Sequence, residues 1–162
     1  MQVVVFDLDQ TVVDSSHRTP LIDGKVDVVG YKSLQTRENI YKDTILPLGE
    51  YMKEIYGDCH IVICTARLMT SDDYDFLKDN GLFFNEIYER GNVPPEIAAL
   101  KDGEYKTKCL RKYKKTNYTF YDDSDEVIEK FNNYPNVKMR DAKIENLNYP
   151  IQTQKRTSRR HL

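Results

Sequence analysis

Apolar runs of strand length punctuate a largely polar chain. Val3 to Phe6, Ile61 to Cys64 and Tyr118 to Tyr121 are rich in β-branched or aromatic residues, and each gives way at once to polar ones. A run that is apolar at every position, rather than at every second one, predicts a strand of a parallel sheet covered on both faces. Helical spacing takes over between the runs. Ile45, Leu48, Tyr51, Met52 and Ile55 fall on one face of a helix that Gly57 should stop. Ser71 is placed to cap a helix carrying Tyr74, Leu77 and Lys78 and ending at Asn80-Gly81. Cys109, Leu110 and Tyr113 mark a third helix, Val127, Ile128 and Phe131 a fourth, and Asn136 to Met139 a final short strand.

Strands alternating with helices predict an α/β fold, a three-layer sandwich around a central parallel sheet. The stretch from Ser15 to about Asp43 breaks the rhythm. It is polar, contains Gly24 and Gly30, and exceeds an ordinary connection, so it reads as a small cap-like excursion over the face where the strands end.

Composition narrows the setting. A chain of 162 residues, 40% hydrophobic and 31% charged, can build one full core, here assigned to residues 1–150. No apolar run approaches the ~18 residues that span a bilayer, and no signal-like pattern opens the chain, so a cytoplasmic protein without membrane contact is expected. Cys59, Cys64 and Cys109 show no CxxC spacing, which argues against a disulfide framework or a zinc site. All 26 acidic residues fall at or before Glu145, whereas Lys155, Arg156, Arg159 and Arg160 lie beyond it. The basic tail, 151–162, is either a solubilising terminus or a nonspecific contact for nucleic acid or another polyanion.

In a parallel sheet, ligands bind beyond the carboxyl ends of the strands. Asp7-Leu8-Asp9-Gln10-Thr11 follows the first run, Thr65-Ala66-Arg67 the second, and Asp122-Asp123 the third; Asp102-Gly103-Glu104-Tyr105-Lys106 precedes a helix. Asp7 and Asp9, two residues apart in extended chain, point to the same side and can share one target. A cluster of Asp oxygens without His or Cys favours Mg²⁺ over zinc. Thr65 and Lys106 offer the donor and positive charge that phosphoryl oxygens need. A carboxylate nucleophile with an acid beside it could form an aspartyl-phosphate and then activate water.

In that order and spacing the four segments resemble the motifs of the haloacid-dehalogenase superfamily of phosphohydrolases. The resemblance spans about residues 2–140 and implies a HAD-like, Rossmannoid fold with a minimal cap between the first two motifs. It implies Asp7 as nucleophile, Asp9 as general acid/base and backbone-carbonyl ligand of Mg²⁺, Thr65 as phosphate donor, Asp123 as the main acidic metal ligand and Asp122 as its support. Lys106 and Lys108 both fit the motif lysine. Lys106 is preferred because it should open the helix, with Leu110 one turn later toward the core. Most relatives carry Gly where this chain has Gln10, which suggests a turn made without left-handed backbone.

A finer likeness is to the 3'-phosphatase domains of phage-type polynucleotide kinase-phosphatases, carried by His17-Arg18, Thr65-Ala66-Arg67, Glu89-Arg90 and Asp102 to Lys106. It implies Arg18, Arg67, Arg90 and Asp102 as substrate-binding residues, the arginines forming a cationic rim. Tyr31, Tyr41 and Tyr88 are candidates to stack on a base. His17 could orient Arg18 or a carboxylate, while His60 reads as structural. The expected substrate is therefore a polynucleotide 3'-phosphate end. A 5'(3')-deoxyribonucleotide monophosphatase is the alternative, and a catalytically inactive nucleic-acid-binding module is the rival of another class. No GxxxxGK[ST] motif occurs in these 162 residues, so no kinase half is expected in them.

Overall fold

The computed structural model describes residues 1–148. In chain order the elements are β1 Val3–Phe6, β2 Val13–Asp14, β3 Leu21–Ile22, β4 Lys25–Val26, α1 Val28–Leu34, α2 Arg37–Ile40, β5 Thr44–Ile45, α3 Pro47–Ile55, β6 His60–Cys64, α4 Ser71–Asp79, β7 Glu86–Tyr88, α5 Pro95–Ala98, α6 Asp102–Cys109, β8 Tyr118–Asp122, α7 Asp125–Phe131 and β9 Val137–Asp141. Residues 142–148 are also helical. The basic tail at 151–162 lies outside the described residues.

Five strands form a sheet in the order β7-β6-β1-β8-β9, and all their pairings are parallel. β1 sits at the centre, and its four residues are buried on both faces as its unbroken apolar run requires. Val4 and Phe6 join Met52 and Ile55 of α3 and Phe76 and Leu77 of α4 in one core. Val3 and Val5 join Tyr105 of α6 and Val127 and Phe131 of α7 in the other. The three-layer α/β sandwich is the one the alternation of runs implied.

Local chemistry corrects several boundaries. The cap of α4 is Thr70, one residue before Ser71: the Asp73 carboxylate accepts from the Thr70 N–H at 2.8 Å while Thr70 Oγ1 accepts from the Asp73 N–H, a capping box. α6 begins at Asp102, so Lys106 stands in mid-helix rather than opening it, and Tyr113 belongs to a separate 3₁₀ turn, Arg111–Tyr113. β7 has no signature in the apolar pattern, being three residues long and only half-buried.

The excursion between β1 and α3 contains a 3₁₀ turn at Ser16–Arg18, the antiparallel ribbon β3–β4, and the short helices α1 and α2. Arg18 anchors it. This side chain is 2% exposed and donates from Nε and Nη2 to the two carboxylate oxygens of Asp43 at 2.8 and 2.7 Å. Gln35 closes the arrangement, accepting from the Arg18 guanidinium and donating to the Arg18 and Tyr31 carbonyls.

Candidate active site

The carboxyl ends of β1, β6 and β8 converge with α6 on one cleft of about 340 Å³, lined by Asp7, Asp9, Gln10, Val26, Tyr31, Ala66, Arg67, Asp102, Lys106, Asp122, Asp123 and Ser124. Parallel pairing puts β1 and β8 in register, Phe6 beside Tyr121, so Asp7 leaves the sheet next to Asp122. The Asp7 N–H still donates to the Tyr121 carbonyl at 3.0 Å, which pins its backbone to the neighbouring strand.

Asp7 is buried and held from two sides. Thr11 Oγ1 donates to Oδ2 at 3.0 Å, and Lys106 Nζ donates to Oδ1 at 2.9 Å. The same ammonium donates to Asp122 Oδ2 at 2.7 Å, and the Ser124 N–H donates to the other Asp122 oxygen at 2.9 Å. Lys106 therefore bridges two carboxylates in a place that water scarcely reaches. Burial opposes its charge, but Asp7 and Asp122 outweigh that and push its pKa well above the ordinary lysine value. Lys108 is exposed on the other side of α6. Of the two lysines the sequence left open, the structure brings only Lys106 to this cluster.

Asp7, Asp122 and Asp123 each present an oxygen within 4.8 Å of the others. One ammonium does not neutralise three carboxylates at such range, and Asp122 and Asp123 feel the excess. Burial and then the Asp7 charge raise Asp122 to about 6 against the pull of Lys106. Burial, then the Asp7 charge and a hydrogen bond with it, raise Asp123 to about 8. Crowded oxygen donors that retain protons for want of positive charge fit a hard divalent cation, and the all-oxygen set suits Mg²⁺. The Asp9 carboxylate stands apart from this trio.

Asp9 faces Arg67. Nη2 donates to Asp9 Oδ1 at 2.5 Å and Nε to Oδ2 at 3.2 Å, while Ser15 Oγ donates to Oδ1 at 2.6 Å. Burial raises the Asp9 carboxyl, yet Arg67 more than reverses this and takes it down to about 2. Arg67 is fixed in turn by Asp73 of the α4 capping box, accepting from Nη1 at 2.9 Å. Thr65 is buried at the end of β6. Its Oγ1 accepts from the Arg67 N–H at 3.0 Å, and its carbonyl accepts from Tyr105 Oη at 2.8 Å.

The expected cationic rim is not assembled. Arg67 lines the cleft, whereas Arg18 is absorbed by Asp43 in the base of the excursion. Arg90 donates to the Ala66, Ala98 and Leu100 carbonyls and to Asp102 at 2.8 Å, tying the loop before α6 to β6. Asp102 reaches the cleft, but as the partner of Arg90. His17 Nε2 donates to the Asn39 carbonyl at 2.8 Å and lies 3.5 Å from Asp43, the carboxylate that holds Arg18. Of the three tyrosines, Tyr31 lines the cleft; Tyr41 bonds Asp79 and Tyr88 bonds Glu86 elsewhere.

The structure adds residues the sequence reading passed over. Thr11 and Ser15 orient the two motif carboxylates, and Asp73 backs Arg67. Thr70-x-x-Asp73 was legible as a capping box, but nothing local says that the box also holds an arginine. Gln10 is the sharpest correction. Its φ is +60°, the left-handed backbone a glycine would supply, and its side chain accepts from the Ser15 N–H at 2.9 Å and donates to Asp14 at 3.3 Å.

Comparison with known proteins bears on the fold and the family. Over 92% of its length the chain superposes on 90% of a haloacid dehalogenase-like hydrolase of Streptococcus pneumoniae, with a TM-score of 0.63 at 18% identity. A HAD-superfamily hydrolase of subfamily IA from Geobacter sulfurreducens gives 0.53 at 15% identity, covering 78% of this chain and 82% of that one. These likenesses are of fold. In sequence, the chain is 32% identical over 151 positions to the 5'-deoxynucleotidase of Escherichia phage T5, covering 78% of this chain and 62% of that relative. The chain thus spans under two thirds of the relative's length. The family described as Bacteriophage T5 5'-deoxynucleotidase matches residues 1–159. On a haloacid-dehalogenase fold with its four motif segments gathered at one sheet edge, this chain belongs to the Bacteriophage T5 5'-deoxynucleotidase family.

Proposed function

We propose that the protein hydrolyses the phosphomonoester of a deoxynucleoside 5'-monophosphate through an aspartyl-phosphate on Asp7. One observation carries the reading: a buried ammonium bridges Asp7 and Asp122 at 2.9 and 2.7 Å beside Asp123, on the floor of a cleft about the size of one nucleotide. Thr11 and Lys106 hold the Asp7 carboxylate in one orientation, which suits in-line attack on phosphorus. Thr65 and Lys106 stabilise the phosphoryl oxygens as charge develops on them. Asp7, Asp122, Asp123 and the Asp9 carbonyl would hold Mg²⁺, which would neutralise the phosphoryl charge when bound.

Asp9 carries the proton: it protonates the leaving ester oxygen and then takes a proton from the water that attacks the phospho-Asp7 bond. With Arg67 against it, Asp9 rests as the base, so the acid step requires Arg67 to loosen its hold and Asp9 first to take up a proton from solvent. Arg67 lines the same cleft, and the incoming phosphate is a competing partner for its guanidinium. Val26 and Tyr31 of the excursion form the outer wall and give the base an apolar and aromatic surface.

The family match supports a mononucleotide over the polynucleotide end. So does the fate of Arg18 and Arg90, whose place in a strand-binding rim is taken by internal contacts. Turnover with Mg²⁺ should be compared for deoxynucleoside 5'- and 3'-monophosphates and for oligonucleotides phosphorylated at either end. The 5'-mononucleotides should turn over fastest, and Asp7→Asn should abolish the activity. Preference for a 3'-phosphorylated oligonucleotide would reverse the substrate assignment; a fully active Asp7→Asn would end the mechanism.

A further inference from the structure

A second cleft opens at the opposite end of β8. Its volume is about 500 Å³, and it lies between the end of α6, the 3₁₀ turn and the segment after α7. Leu110, Tyr118 and Phe131, all buried, make the floor with Tyr134 and Pro135. Tyr118 begins β8 and Asp122 ends it, which separates the cleft from the catalytic cluster by about 13 Å of strand.

Three cations rim this cleft: Lys108, Arg111 and Lys114. They recur every third residue, from the last turn of α6 through the 3₁₀ turn Arg111–Tyr113 to the residue that closes it. All three are exposed, and none forms an ion pair among the described residues. Lys112, pointing elsewhere, does pair, with Glu86 at 2.9 Å. Three positive charges of one sign around a cleft with apolar walls focus their field into it and draw anions there.

The floor holds an independent sign of a ligand. Tyr118 is 6% exposed, and its hydroxyl has no hydrogen-bond partner among the described residues. Buried polar groups rarely go without a partner, so this hydroxyl is left to whatever enters the cleft. We propose that this cleft binds a nucleoside triphosphate, its linked phosphates along Lys108, Arg111 and Lys114 and its base on the aromatic floor within reach of the Tyr118 hydroxyl. A monophosphate would engage one cation of the row, and a fatty acid has one carboxylate to offer it. A nucleic-acid strand would run on past Tyr118 and Asn136 into an adjoining hollow, where Lys138 is the one cation of the lining.

The test uses calorimetric titration of the whole protein with ATP in EDTA, so that no metal-assisted turnover intervenes. ATP should bind with one-to-one stoichiometry, and AMP and inorganic tripolyphosphate each at least about tenfold more weakly, a loss of about 1.4 kcal/mol. The triple variant Lys108→Glu, Arg111→Glu, Lys114→Glu alters only exposed side chains outside the catalytic cluster, so phosphomonoester turnover should persist while ATP affinity falls by about 30-fold or more. Tyr118→Phe, which removes one oxygen, should weaken ATP about three- to tenfold. Unchanged ATP affinity in the triple variant would overturn the proposal. So would tripolyphosphate binding as tightly as ATP, or a short oligonucleotide displacing ATP from the same rim at lower concentration. None of these outcomes depends on whether deoxynucleoside monophosphates are the substrate.

Discussion

Replacing Lys106 by Met keeps most of the side chain's volume and removes its charge, so the loss it causes is electrostatic rather than a cavity. In the wild type the ammonium sits 2.9 Å from Asp7 and 2.7 Å from Asp122, with all three side chains at most 7% exposed. Taking it away strands two buried carboxylates, with Asp123 beside them, and breaking a buried ion pair from one side costs about 3–5 kcal/mol. At a urea slope of about 2 kcal/mol/M, the unfolding midpoint of the variant in EDTA should fall by about 2 M near neutral pH. Activity should be lost as well, but stability is the cleaner measure because it needs no substrate. Lowering the pH should shrink the deficit: Asp122, already raised to about 6, and Asp123, raised to about 8, take up protons in place of the missing cation. A midpoint shift below about 0.5 M, or one that ignores pH between about 5 and 8, would refute the claim that Lys106 is the counter-charge of this cluster.

The metal-free protein should itself grow more stable as pH falls. Asp122 and Asp123 hold protons in the fold that the unfolded chain gives up near the ordinary value of 3.8, so stability is lost as pH rises through about 6 and about 8. Thermal melts in EDTA between about pH 5.5 and 8.5 check this, and added Mg²⁺ should raise the melting temperature most at the alkaline end. Glu86 should behave in the opposite sense. Burial raises its pKa, but donors from Tyr113, Lys112, His60 and Tyr88 outweigh that and lower it to about 2 from 4.5, so its contribution is present above pH 4.5 and fades as pH falls toward 2. Glu86→Gln should therefore cost about 1–2 kcal/mol near pH 6 and much less near pH 3, read by urea unfolding. Gln10→Ala should cost about 1 kcal/mol through its two side-chain bonds, whereas Gln10→Gly should fall within about 1 kcal/mol of wild type because relief of the left-handed strain offsets them. Ala at least as stable as Gly would show that the +60° backbone carries no strain.

What the sequence disclosed follows from what is local in it. Strand runs and strand ends are written in consecutive residues, so β1, β6 and β8 and the carboxylates after them were legible, and parallel pairing then did the work of bringing Asp7 beside Asp122. Lys106 is the lysine that reaches the cluster, but the sequence favours it on the ground that it opens a helix, whereas α6 starts at Asp102. What places it is that residue 106 faces the sheet with Tyr105 and Cys109, buried, while residue 108 faces water. Arginines were the hardest to read because a guanidinium's partner is chosen by the tertiary fold: Arg18 went to Asp43, Arg67 to Asp9 and Asp73, and Arg90 to carbonyls and Asp102. No spacing rule distinguishes an arginine that meets substrate from one that braces a loop.

Gln10 shows the same limit from the side of the backbone. A glycine at that position would have announced a left-handed turn, and its absence invited the reverse conclusion. Yet the chain must still turn there: the Gln10 N–H donates to the Val13 carbonyl at 2.7 Å and the Thr11, Val12 and Val13 N–H groups converge on the Leu8 carbonyl, a knot that sets Asp9 over the cleft. The turn is imposed by what lies on either side of it, β1 in the core and β2 returning to pair with β5, and the residue inside accepts the strained conformation. The side chain that a glycine lacks then supplies part of the compensation, because Gln10 Oε1 holds the N–H of Ser15, whose hydroxyl donates to Asp9. The departure from the family pattern thus leaves the position of the proposed acid/base intact and adds a link to its support. Whether that link is needed is read from Asp9 rather than from stability: Gln10→Gly should keep the fold while Ser15 and Asp9 lose a tether, lowering kcat more than it raises KM.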